Sequence, residues 1–200
     1  MAEEETETFY TEERWENWLD RVEEENLDPE EEESARLLLN MQDDTAIAVA
    51  KVLTAFEEGR IDAERATGEL ERIRELVLAE ATFDDEDTEV LVSGVQTSLV
   101  PVFYAAEEYV ANGAAEEATV VEYVRAASDA ESGDDPDAAL GYVVQAGTRI
   151  IAGDDLDVSV ADDLEYGLVA EWVNGLDSLR SALADPEVIE ADDEDEGTAR

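Results

Sequence analysis

Between Glu89 and Glu107 the chain carries no charged side chain, although 57 acidic and 12 basic residues are spread over its 200 positions. That interruption constrains the fold more than any other feature. Val90, Leu91, Val95, Leu99, Val102 and Phe103 recur at intervals of three and four residues, which is the period of an α-helix. The residues between them are uncharged as well, so within the segment from Asp85 to Asn112 this uncharged run covers nearly the whole helical circumference. A helix of that kind belongs at the centre of a fold with other helices around it. Pro101 lacks the N–H that would bond one turn back, which predicts a kink or a division of the helix at that point. Ser93, Gln96, Thr97, Ser98 and Pro101 make the run too short and too polar to be read as a bilayer span.

The same helical period governs the rest of the chain, and no strand-like alternation interrupts it. Thr11 caps a first helix running to about Glu25, with Trp15, Trp18, Leu19 and Val22 on one stripe. Asp28 and Pro29 open a second, since aspartate caps well and proline suits the first helical position. It carries Leu37, Leu38, Leu39 and Met41, is expected to loosen at Asp43 and Asp44, and continues through Val49, Val52 and Phe56 to Gly59. Asp62 caps a third helix bearing Ala66, Leu70, Ile73 and Val77, which makes 29–80 a helical hairpin subdomain. Beyond the central helix come a helix from Glu116 to Ala127, another opened by Asp135 and Pro136, and a last one from about Ser159 to Ala184. The reading is an all-α helical bundle of six or seven helices with a central apolar helix kinked at Pro101. It places a single domain at 9–184 between disordered acidic ends at 1–8 and 185–200.

Composition then removes whole classes of chemistry. With no cysteine there is no disulfide, zinc-thiolate site or thiol nucleophile, and with no histidine there is no imidazole base or imidazole ligand. The net charge is −45, and among the basic residues Lys51 stands as the one lysine. Abundant carboxylates with almost no lysine suit a protein that folds in molar salt, where the Debye length falls to about 3 Å and self-repulsion is screened. The N-terminus reads Met1, Ala2, Glu3, Glu4, Glu5, with acids where a secretory leader carries basic residues. We therefore expect a cytoplasmic protein, bound to neither membrane nor nucleic acid. Even Arg72 and Arg74 sit among Glu69, Glu71 and Glu75, so no basic patch forms.

Several constellations invite a chemical reading and fail on inspection. Gly59, Ile61 and Asp62 imitate a calcium loop, but its ligand positions would fall on Thr54, Phe56 and Arg65. The clusters Asp84 to Asp87, Asp134 to Asp137 and Asp154 to Asp157 resemble magnesium-binding runs, yet each precedes a helix, where acids cap backbone amides. Glu13 with Glu16 and Glu86 with Glu89 have the spacing of paired carboxylates, which chance supplies in a chain this acidic. Gly141 and Gly147 are too far apart for a phosphate loop. No catalytic residue, metal ligand or cofactor site is assigned. The remaining candidates are apolar: Trp15, Trp18, Trp172 and Leu176, for which core packing is the default and an interface the alternative.

The segments Phe9 to Val22, Ser34 to Leu53 and Gly94 to Val110 resemble a family of short acidic haloarchaeal proteins known only as a domain of unknown function. The resemblance covers about 9–184 and implies a salt-in cytoplasm, but it brings no catalytic motif. The leading expectation is a non-catalytic helical protein acting through a protein partner or self-association. One alternative is a magnesium-dependent hydrolase or binder of phosphorylated small molecules that works through carboxylates. A second is an acidic decoy or chaperone for a basic partner.

Overall fold

Local capping rules set most of the helix starts. The computed structural model describes residues 8–25, 27–28 and 30–185. Over these it is all-α, with no strand: α1 Glu12–Glu24, α2 Glu32–Glu57, α3 Ala63–Val77, α4 Glu86–Asn112, α5 Val120–Ser132, α6 Pro136–Ile151, the short α7 Val158–Asp162 and α8 Leu168–Ala184. Thr11 Oγ1 accepts from Arg14 N at 3.2 Å, Asp62 Oδ1 from Arg65 N at 2.9 Å and Asp85 Oδ2 from Thr88 N at 3.1 Å. Asp135 accepts from Ala138 N at 3.1 Å, with Pro136 at the start of α6. Each bond satisfies a backbone donor that the first turn of a helix leaves without an intrahelical partner.

Three boundaries differ from the sequence reading. Asp28 does not cap α2: it accepts from Glu30 N at 2.9 Å in a local turn while its own N–H donates to Ser34 Oγ, and the helix begins at Glu32. Pro29 lies outside the described residues. The fifth helix starts at Val120 rather than Glu116, because Thr119 and Glu122 form a reciprocal capping box there, and it runs on to Ser132. The last helix is interrupted, with α7 ending at Asp162 and α8 beginning at Leu168. Glu131 of α5 makes that restart possible, since its Oε1 accepts from Leu168 N at 2.6 Å and Val169 N at 3.4 Å. The expected loosening at Asp43 and Asp44 is also absent, as α2 is continuous through both.

Helix α4 occupies the centre and packs against α2, α3, α6 and α8. It runs unbroken through Pro101, which is itself buried, so the segment is one helix rather than two. Packing on several sides sustains a helix across one missing hydrogen bond. It meets α8 tightly: a Cβ built at Gly175 would fall 1.8 Å from the Ser98 carbonyl oxygen, so only glycine fits. Gly59, at φ +71°, turns the chain from α2 into α3. That hairpin shares one buried apolar cluster with the rest of the chain, extending from Phe9 to Ala182. Residues 1–7 and 186–200, most of the ends read as disordered, lie outside the described residues.

Candidate functional site

Three of the four apolar residues put forward as an interface are consumed by the core. Trp15 is 3% exposed, Trp172 6% and Leu176 0%, so all three side chains pack into the core of the folded chain. Amphipathic stripes of this kind turn inward because burying each large side chain is worth roughly 1.5–3 kcal/mol. The fourth, Trp18, is half-buried, and its indole Nε1 donates to Asp44 Oδ2 at 2.8 Å. Arg21 stands over the same ring, 5.6 Å from its centroid.

Asp44 is the anchor that fixes α1 to α2. Arg14 Nε donates to Asp44 Oδ2 at 2.9 Å and a terminal guanidinium nitrogen to Oδ1, while the Tyr10 hydroxyl donates to Oδ2 at 3.2 Å. Arg72 adds a bond to the Tyr10 carbonyl at 2.7 Å. Burial, reinforced by the Asp44 charge, holds the Tyr10 phenol protonated far above its ordinary range. Donors from α1 and the residues before it thus converge on one carboxylate. This arrangement is structural, because every oxygen of Asp44 is turned toward a side chain of the same protein.

A second polar cluster joins α2, α4 and α8 below an open groove. Gln42 Nε2 donates to Ser178 Oγ at 2.9 Å, and Ser98 Oγ lies 2.5 Å from Gln42 Oε1 and 2.7 Å from the Val95 carbonyl. All three side chains are buried. Above them lies a cavity of about 250 Å³, walled by Ala35, Leu38 and Leu39 of α2 and Gly94 and Val95 of α4, with Glu171 and Asn174 of α8 at its edge. Leu39 is 47% exposed while Leu37 is buried. The run of three leucines carried that signal: residues two apart on a helix are rotated by about 200°, so Leu37 and Leu39 cannot both face inward.

Among the described residues the carboxylates do not gather into a metal centre. Glu13, Glu16, Glu86 and Glu89 are all exposed, and among the described residues no group of three or more acids is placed to hold an ion. Of the three aspartate clusters, Asp85 and Asp135 cap α4 and α6. Asp157 accepts from Ser159 N and Oγ at 2.9 and 2.7 Å, hydrogen bonds that hold its carboxyl below the usual aspartate range. By length and composition α4 could cross a membrane, contrary to the reading of its uncharged run as too short and too polar, but half of the relevant window is buried inside the bundle. Its apolarity is that of a core helix surrounded by others.

No curated protein and no solved structure matches the chain. A family match covers residues 8–192, taking in the Asp44 anchor, the groove and every helix of the bundle. The chain belongs to the family described as uncharacterized protein conserved in archaea (DUF2150).

Proposed function

We propose that the protein is a non-catalytic helical interaction protein of a salt-rich archaeal cytoplasm, holding a protein partner in the groove between α2, α4 and α8. The observation that supports this reading is Leu39, 47% exposed on the wall of an open cavity whose floor is already satisfied by its own hydrogen bonds. Leu38 and Val95 continue the apolar wall. An aliphatic lining over a closed polar floor offers area for side-chain burial and little to a small polar metabolite. The salt-rich compartment is supported by the −45 charge carried with a single lysine.

The test is affinity capture with the full chain from native archaeal lysate held in molar KCl, read by mass spectrometry beside light scattering of the purified protein. Wild type is expected to retain a stoichiometric partner that Leu39→Glu loses, with circular dichroism unchanged because the substituted side chain is exposed. A wild-type protein that emerges alone and monomeric would overturn the proposal. Metal and phosphorylated-metabolite screens would then address the carboxylate reading.

A further inference from the structure

The groove is bounded by residues of three helices, α2, α4 and α8. Ala35, Leu38, Leu39 and Gln42 occupy successive turns of one α2 face, and Glu171 and Asn174 stand on one face of α8. Val90, 69% exposed, lies one turn before Gly94 and extends the apolar wall along α4. A channel bounded by helices receives another helix through aliphatic side chains spaced at three and four residues.

The charge around this channel is one-sided. Glu171 is at its edge, Glu31 and Glu32 stand one turn before Ala35, and Glu86 and Asp87 one turn before Val90 and Leu91, all four of these exposed. Among the described residues, no lysine or arginine lines the groove. Acidity alone would distinguish no surface on a chain of charge −45. What sets this place apart is the apolar wall of Ala35, Leu38, Leu39 and Val95 with Glu171 at its edge. A second copy is a poor occupant, because a two-fold contact through the same patch brings rim to rim and carboxylate to carboxylate. Molar salt screens such repulsion at long range and much less at contact, where the Debye length is about 3 Å.

We infer that the occupant is an amphipathic helix of another protein, which seats aliphatic side chains against Leu38, Leu39 and Val95 and sets lysine or arginine beside Glu171. This rests on the interaction reading above and adds the partner's chemistry to it. Partial enclosure of the Glu171 pairing keeps it effective in salt that suppresses pairings in open solvent.

The experiment uses the full chain in molar KCl and a fluorescein-labelled Leu/Lys peptide of about 18 residues, five helical turns, with leucines on one face. Two controls accompany it: a scramble of the same composition and a Leu/Glu peptide with the same pattern. Anisotropy is expected to report one-to-one binding of the patterned basic peptide, weakened at least about tenfold by Leu39→Glu although that change adds negative charge. Glu171→Gln is expected to weaken binding several-fold and Glu64→Gln, at an exposed position on α3, to leave it unchanged. Equal binding of the scramble, preference for the acidic peptide, full affinity in Leu39→Glu, or equal effects of Glu171→Gln and Glu64→Gln would each overturn the inference. Light scattering that finds a dimer broken by Leu39→Glu would make the occupant a second copy and overturn it too. If lysate capture succeeds through Leu39 while the basic peptide fails, the interaction reading survives and the basic helix does not.

Discussion

At Gly175 a single hydrogen atom decides whether α8 can lie on α4. A Cβ there would sit 1.8 Å from the Ser98 carbonyl oxygen, and the obstacle is backbone, which cannot rotate away as a side-chain tip can. Gly175→Ala should therefore force the helices apart and cost about 2–3 kcal/mol, the upper end of what overpacking causes. Thermal melts in molar KCl should show the midpoint falling by roughly 4–12 °C, and an unchanged midpoint would refute so close a crossing. Trp172 poses the opposite question. Its ring is buried, but the indole N–H has no acceptor among the described residues, an arrangement that costs roughly 1–3 kcal/mol. Trp172→Phe removes that donor while keeping most of the apolar burial. It should stay within about 1 kcal/mol of wild type, against about 3–5 kcal/mol for Trp172→Ala. A large loss in the phenylalanine variant, measured by denaturant unfolding, would mean that the N–H is in fact satisfied.

At the scale of the element, α1 is held to the body by its apolar stripe and by the one carboxylate of Asp44. Asp44→Ala would remove the acceptor shared by Arg14, Trp18 and Tyr10 and leave the phenol and indole donors in a partly dry site. A loss of about 2–3 kcal/mol is expected from charge-assisted hydrogen bonds of this kind. Amide exchange should accelerate across Glu12–Glu24 before it does so in α4, and uniform acceleration of all helices would contradict an anchoring role. The sequence could not disclose this anchor. Asp43 and Asp44 read as a weak point in a helix, because propensity treats aspartate as a breaker and cannot see an arginine thirty residues upstream. The same limit explains the last helix, where the cap on α8 is Glu131 of another helix and no local pattern announces it. The local caps at Thr11, Asp62, Asp85 and Asp135 made four helix starts legible, whereas the equally local capping box of Thr119 and Glu122 was passed over in favour of Glu116. The central position of α4 was legible for a related reason, since an uncharged circumference has one stable location in a small bundle. The groove was half-legible: three consecutive leucines require one to face outward, but which helices wall the space beside it depends on tertiary packing. Trp15, Trp172 and Leu176 stand out as strongly in a core as they would at an interface, and periodicity alone cannot separate the two.

For the molecule as a whole, the balance between one apolar cluster and a charge of −45 decides whether the bundle holds together. Folding brings the carboxylates closer than they stand in the open chain, and the penalty rises as the screening length grows from about 3 Å at 1 M salt to about 30 Å at 0.01 M. Helix content measured by circular dichroism should consequently fall as KCl is dialysed from molar to low millimolar concentration, and return when salt is restored. Screening and solute exclusion can be told apart by choice of co-solute. Sodium chloride should substitute for KCl at equal ionic strength, because it screens equally. Sucrose, which stabilises compact states by being excluded from protein surface, should restore less helix because it leaves the repulsion in place. Full helix content at low ionic strength would show that the apolar core outweighs the repulsion unaided. In that case the carboxylate excess would lose its explanation as an adaptation to solvent, and the acidic rim of the groove would have to be weighed as a recognition surface in its own right.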